Sequence, residues 1–286
     1  MKATFCSLLI LLLSISHLYA QMERKRAVSD APVEELFLTG SIAGISTVTN
    51  LNKRELNSVI MHNFGTVNGG IENFWGLDQA EAVRLGIDYG ITDNLSVGIG
   101  RTNTEDNVDV RMKYTILRQM KSNKIPIELA LKVDMGVNTQ KNTQSDDFTF
   151  TERLNYFGSL MIARKFLNTF TLQLAPMISH FNTVVIDSPT NNPQNTHFAL
   201  GIGSRYILNE RKSLTFEFLP VLGKRNKDTR NHIAFGYEIE TGGHVFQMFF
   251  MSGRWFTEQH LITRTTSKFF SNEFRLGFNV NRVFGI

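Results

Sequence analysis

From about Ala80 to Phe284 apolar and polar residues alternate with a period of two, interrupted only by turn-forming residues. Val83, Leu85, Ile87 and Tyr89 alternate with Arg84, Gly86, Asp88 and Gly90, and Ile125, Ile127, Leu129, Leu131 and Val133 with Glu128, Ala130, Lys132 and Asp134. A strand sends successive side chains to opposite faces, so each such segment must separate an apolar environment from a wet one. Inside a bilayer only a helix or a closed barrel satisfies every backbone polar group, and strands of this pattern therefore point to a membrane-spanning β-barrel.

The start of the chain agrees with an exported protein. Lys2 precedes the apolar run Leu8 to Leu13, and Leu18-Tyr19-Ala20 before Gln21 supplies a cleavage point near Ala20, so residues 1–20 read as a signal peptide. That run is too short to span a bilayer as a helix, and no later stretch reaches the roughly 18 apolar residues needed. Cys6 lies before the apolar run, so it is not a lipid-anchor cysteine, and the mature chain has no thiol for disulfides or catalysis. The formal charge of +4 is too mild to imply nucleic acid. Arg24, Lys25 and Arg26 read as a solvated tail.

Alternation gives about twelve strands, near 57–65, 80–91, 95–103, 107–118, 125–137, 148–164, 170–182, 197–207, 213–222, 232–240, 245–252 and 272–284. Most have nine residues or more, which suits a tilted membrane strand. Short connections at 92–94, 119–124, 165–169, 208–212 and 241–244 tend to alternate with longer ones at 140–147, 183–196, 223–231 and 253–271, the link at 104–106 being an exception. Barrels of the outer membrane have this asymmetry, with short periplasmic turns and long outer loops. Tyr89, Phe166, Phe170 and Tyr206 fall near one set of ends and Phe181, Phe198 and Phe235 near the other, as two interfacial aromatic belts would. Residues 21–54 form an N-terminal extension, periplasmic or folded into the barrel mouth, and 55–286 form the barrel.

From His62 to about Gln119 the chain is similar to a family of uncharacterised outer-membrane β-barrel proteins found in Bacteroidota. The residues that carry the likeness are His62-Asn63-Phe64-Gly65, Phe74-Trp75-Gly76-Leu77-Asp78, Arg84 to Thr92, Val97-Gly98-Ile99-Gly100-Arg101, Lys113-Tyr114 and Leu117-Arg118-Gln119. The chain departs from the family at Asn63, where Arg is typical, and at Asp109-Val110, where an Asp-Gly pair is typical. The resemblance implies an outer-membrane barrel and brings no established activity with it.

Few residues stand in a pattern that carries chemistry. Glycines 86, 90, 98, 100, 201 and 203 lie within strands on the inward parity, where they relieve crowding; a phosphate loop needs them between a strand and a helix. The seven histidines form no metal spacing, and His62 reads as a structural hydrogen-bonding residue near the barrel end. Asp106, Asn107 and Asp109, with Asp146 and Asp147, lack the glycine and terminal Glu of an EF-hand loop. An outer-membrane phospholipase needs a lipid-facing Ser beside a His. His180 and Ser204 share the outward parity of adjacent strands, but a hairpin turning near Thr190 sets them several pairs apart.

The inward parity is richer. It carries the acids Asp88, Asp109, Glu128, Asp134, Glu217, Glu238, Glu240 and Glu273 and the bases Arg84, Arg111, Lys113, Lys132, Arg153, Arg205 and Arg275. The signs nearly cancel, so inter-strand ion pairs across a narrow interior are expected, whereas an ion channel shows a ring of one sign. The sequence thus predicts an all-β antiparallel barrel without cofactor or metal. It is expected to be non-enzymatic, with a charge-filled lumen and outer loops that bind a ligand or partner. A narrow channel for small solutes is the alternative, and a surface lipid-modifying enzyme the third reading. Outer-membrane lipid and the barrel-assembly machinery are the partners implied.

Overall fold

A computed structural model describes residues 30–141, 148–184 and 194–286. The leader, the basic run 24–26, Asp146, Asp147 and Thr190 lie outside the described residues.

The strands are β1 (Glu55–Thr66), β2 (Ala80–Gly90), β3 (Leu95–Thr102), β4 (Asn107–Leu117), β5 (Glu128–Asn138), β6 (Leu154–Phe166) and β7 (Phe170–Phe181). They continue as β8 (Thr196–Asn209), β9 (Lys212–Leu219), β10 (Val221–Leu222), β11 (His232–Glu240), β12 (His244–Met251) and β13 (Arg275–Gly285). Pro220 cannot donate to a ladder, and it divides β9 from β10, which both pair with β8 as one barrel strand. Twelve strands therefore circle the axis, all antiparallel. The ring closes where Val59 of β1 faces Asn281 of β13.

The alternation has the consequence that a lipid-facing wall requires. Along β5, Glu128, Ala130, Lys132 and Asp134 are buried, while Leu131, Val133 and Met135 are exposed on the outside. An apolar outer face has bilayer rather than water as its solvent. Two strand expectations need correction. Residues 148–153 are loop and a short turn of 3-10 helix, Thr151–Arg153, so β6 starts at Leu154. Phe181 does not join a belt, being 7% exposed; it shares the inward parity of Ser179 and meets His260 edge-on at 5.1 Å.

The bore is filled by polypeptide. Residues 30–34 lie beside the short turns, and residues 36–48 run inside the bore. Beside the short turns, Val33 N–H donates to Gln119 O at 2.7 Å, and Lys124 and Lys121 pair with Asp30 and Glu34 at 2.8 and 2.7 Å. The hydrogen bond from Lys124 holds the Asp30 carboxyl below the usual carboxylate range. The chain then climbs into the lumen and doubles back, with Ile42 N–H bonded to Ile45 O at 2.9 Å and Thr47 N–H to Gly40 O at 3.0 Å. Leu36, Phe37, Ile42, Ala43, Ile45 and Val48 are all buried. From the opposite end the β12–β13 connection also turns inward and carries helix α1 (Glu258–Arg264), on which Glu258 to Thr263 are buried. Small residues, Gly40, Ser41, Ala43, Gly44 and Ser46, suit the first insert to this narrow space.

Candidate functional site: the filled lumen and its two mouths

Inward side chains of β2 and β4 form a chain of ion pairs across the glycines of β3. Arg84 grips Asp109 in a fork, Nη1 to Oδ1 at 2.5 Å and Nη2 to Oδ2 at 2.7 Å. Arg111 bridges Asp88 at 2.7 Å and Asp109 at 3.2 Å. Such paired, hydrogen-bonded geometry is what makes a buried charge tolerable. Glycines make room for it. A Cβ at Gly98 would lie 2.1 Å from Asp88 Oδ1, and one at Gly100 only 2.3 Å from Arg84 Nη2.

Farther round, the charges hold the inserts rather than one another. Lys113 Nζ donates to Gly40 O, Thr47 O and Thr49 O at 3.1, 3.0 and 2.9 Å. Glu217 accepts the N–H groups of Gly44 and Ile45 at 2.7 and 2.8 Å. Gln173 accepts from Val48 N–H and donates to Ser46 O, each at 2.8 Å. Asn279 donates to Ile42 O at 3.0 Å, and Arg205 to Glu35 O at 2.9 Å. An irregular segment has no ladder of its own, so each buried N–H and C=O needs such a partner.

The inserts are joined at the centre. Glu258 of α1 accepts Ser46 N–H at 2.9 Å through one oxygen and Lys132 Nζ at 2.8 Å through the other, while Lys132 also pairs with Asp134 at 3.0 Å. Burial opposes ionisation of Glu258, but Lys132 and Ser46 outweigh it and hold the carboxyl below the usual range. A Cβ on Gly44 would stand 2.6 Å from Leu261 Cδ1.

The remaining expected lumen residues are dispersed. Arg205 lies 3.7 Å from Glu238, whose other oxygen accepts from Gln247 at 2.7 Å. Glu128 and Glu240 line the inner cavity. Arg153 and Glu273 are not in the lumen: Arg153 bonds Gln140 O at 2.8 Å, and Glu273 takes Lys268 N–H at 2.7 Å, both on outer loops. Arg275 pairs with Glu81, which sits at the outer end of β2 where the parity does not reveal it. Periodicity could not find Glu81, Glu105 and Glu258, because none lies on the inward stripe of a strand.

The family-like motif shapes the outer end of β1–β3. Gly76 has a φ of +80° and so near an approach to Gly65 O that a Cβ would lie 2.3 Å away. His62 is not hydrogen-bonded through Nδ1; it stacks on Phe278 at 5.3 Å and tilts against Phe64 at 4.5 Å. Asp78 is exposed, and Arg101 makes a surface pair with Asp106 at 2.5 Å. Asn63, where the similar family carries Arg, donates to Arg254 O at 2.7 Å. The β7–β8 register sets His180 opposite Thr196 and Ser204 opposite Leu172. The pair are farther apart than expected, and His180 Nδ1 is 2.7 Å from Thr196 Oγ1. No cluster of three or more His, Cys, Asp or Glu side chains able to hold a metal occurs among the described residues.

Two cavities stand out among the described residues. The inner one, about 670 Å³, lies between the N-terminal insert and the wall formed by β1–β5 with parts of β11–β13. The outer one, about 430 Å³, lies at the long-loop mouth.

A closed antiparallel barrel with a lipid-compatible outer wall is an outer-membrane β-barrel protein. Residues 37–284 match the family described as "Membrane bound beta barrel domain (DUF5777)", and the chain belongs to it. No curated protein matches the sequence. An outer-membrane channel from Pseudomonas putida F1 is 15% identical over 82% of this chain and 97% of that one, with a TM-score of 0.51, and shares the fold. The NanC porin is 8% identical, covering 81% of this chain and 99% of its own, with a TM-score of 0.47. LpxR from Salmonella typhimurium is 10% identical, covering 81% and 100%, with a TM-score of 0.36.

Proposed function

We propose that this protein, exported by cleavage near Ala20 and assembled into the outer membrane by the barrel-assembly machinery, is a non-enzymatic barrel. Its lumen is closed, and its outer loops bind a ligand. The observation that carries this reading is Glu258, which ties the outer insert to both the inner insert and the barrel wall. A solute would have to break buried, charge-assisted hydrogen bonds from two directions to pass. The separation of His180 from Ser204 supports the absence of lipid hydrolysis at that pair.

Planar-bilayer recording tests the reading. Wild-type protein should stay near baseline. Deleting residues 30–51 and replacing 254–270 with a short Gly-Ser linker should together raise conductance at least tenfold. A large, steady, ion-selective conductance in the wild type would overturn the closed-barrel reading in favour of a narrow channel.

A further inference from the structure

Among the described residues the outer cavity has an unbalanced charge. Lys227, Arg254, Arg264 and Arg275 line it, with Glu81 as the acid in its wall. Two of these cations are committed elsewhere. Arg275 holds Glu81, Ser252 O at 2.7 Å and Ser267 Oγ at 2.9 Å, and Arg264 pairs with Glu105. Arg254 reaches Glu81 only at 3.9 Å, and Lys227 makes no ion pair among the described residues.

The indole of Trp255 keeps the two loop arginines in place. Arg254 and Arg264 lie over its ring at 5.3 and 5.7 Å, while His260 stacks on it at 4.3 Å. Cation–π contacts of this kind fix a guanidinium without neutralising it. Trp255 is 1% exposed, lines the cavity, and its Nε1–H has no acceptor among the described residues. Thr229, Thr263 and Thr265, also in the wall, donate their hydroxyl protons to Asn226 O, Gln259 O and Leu261 O, which leaves each oxygen free only to accept. Among the described residues the cavity thus offers Lys227, without an ion pair, and Arg254, with only a long one, to an anionic group, and acceptors to hydroxyl groups. Its volume of about 430 Å³ is that of a small-molecule site.

We propose that this vestibule binds a hydroxylated anion of monosaccharide size, a sugar acid or a sugar phosphate carried free or on a glycolipid. The inference deepens the reading that the outer loops bind a ligand. Trp255 and Trp75 are the two tryptophans of the chain, so in a Trp75→Phe background the Trp255 emission reports on the site. The full-length, detergent-folded protein is titrated with D-glucuronate, glucose 6-phosphate and glucose, and mixed with lipid A vesicles. A saturable change is expected with the anions and at least tenfold weaker binding of glucose. Arg254→Gln combined with Lys227→Gln should weaken anion binding at least tenfold, as should a rise in salt from low to molar. A response to the soluble anions supports a free solute, and a response to the vesicles alone supports a glycolipid headgroup. No saturable response to any anionic probe in folded protein, or equal binding by the double variant, would overturn the proposal. Failure to bind with the bore electrically closed sinks this inference alone, whereas binding by a conducting wild type sinks the closed-barrel reading alone.

Discussion

At the scale of single residues, glycines and arginines in β2–β4 form one unit. Gly98 and Gly100 are small because the Asp88–Arg111 and Arg84–Asp109 pairs occupy the space a side chain would take. Gly158 of β6 differs, because a Cβ there would meet only Ile178 Cγ2, at 3.4 Å, on the outer face. Gly100→Ala should therefore lower the folded, heat-modifiable fraction on gels, and Gly158→Ala should leave it unchanged. Equal behaviour of the two would mean that the Arg84 fork is not fixed. Lys132 is a stronger case, since its removal strands both Asp134 and Glu258. Lys132→Met should cost about 3–5 kcal/mol, the usual penalty for an unpaired buried charge. Thermal melts in detergent, with Leu131→Met on the lipid face as control, measure it.

At the scale of elements, the strands were legible because a two-residue period is local. Residues 232–240 read from alternation are those of β11, and most other ends shift by a few residues. The inward charges were legible for the same reason. What they bind was not. Lys113, Glu217, Gln173 and Asn279 satisfy the backbone of a segment 64 to 237 residues away in sequence. That segment has no period of its own, since outside the two backbone bonds of its turn-back at 40–47 its N–H and C=O groups are taken up by barrel side chains. The loop carrying α1 was equally opaque, because length alone does not tell an outward loop from an inward one. Glu258 gives this docking a pH dependence. Its folded pKa is depressed, so its contribution is present above the ordinary Glu range and is lost as pH falls into the depressed range. Wild-type conductance should therefore rise only as pH falls below the ordinary Glu range. Glu258→Gln should remove that step, and a step of the same size in the variant would show that another group controls the docking.

At the scale of the whole molecule, the two inserts make the barrel a single closed body only if they stay in contact. They enter from opposite ends and belong to opposite ends of the chain, so neither is held by the other's sequence neighbourhood. Their meeting point is Gly44 against Leu261, where a Cβ on the glycine would lie 2.6 Å from Leu261 Cδ1. Cys6 is the one cysteine of the sequence, so in a Cys6→Ser background two introduced thiols have no competitor. Gly44→Cys with Leu261→Cys should cross-link in the folded protein, directly or through a short bis-thiol reagent, because Leu261 Cδ1 lies two bonds beyond its Cβ and touches the place of a Gly44 Cβ, within reach of two thiols. Mass spectrometry of the digested protein reads the bond. Gly44→Cys with Leu167→Cys should not react, because Leu167 is 93% exposed on a short turn. The cross-linked barrel should also stay closed at the acid pH that opens the wild type and recover its conductance step on reduction. Cross-linking that left the acid step intact would place the conducting path elsewhere than between the inserts. Failure of the pair to react in folded protein would mean that the inserts do not meet.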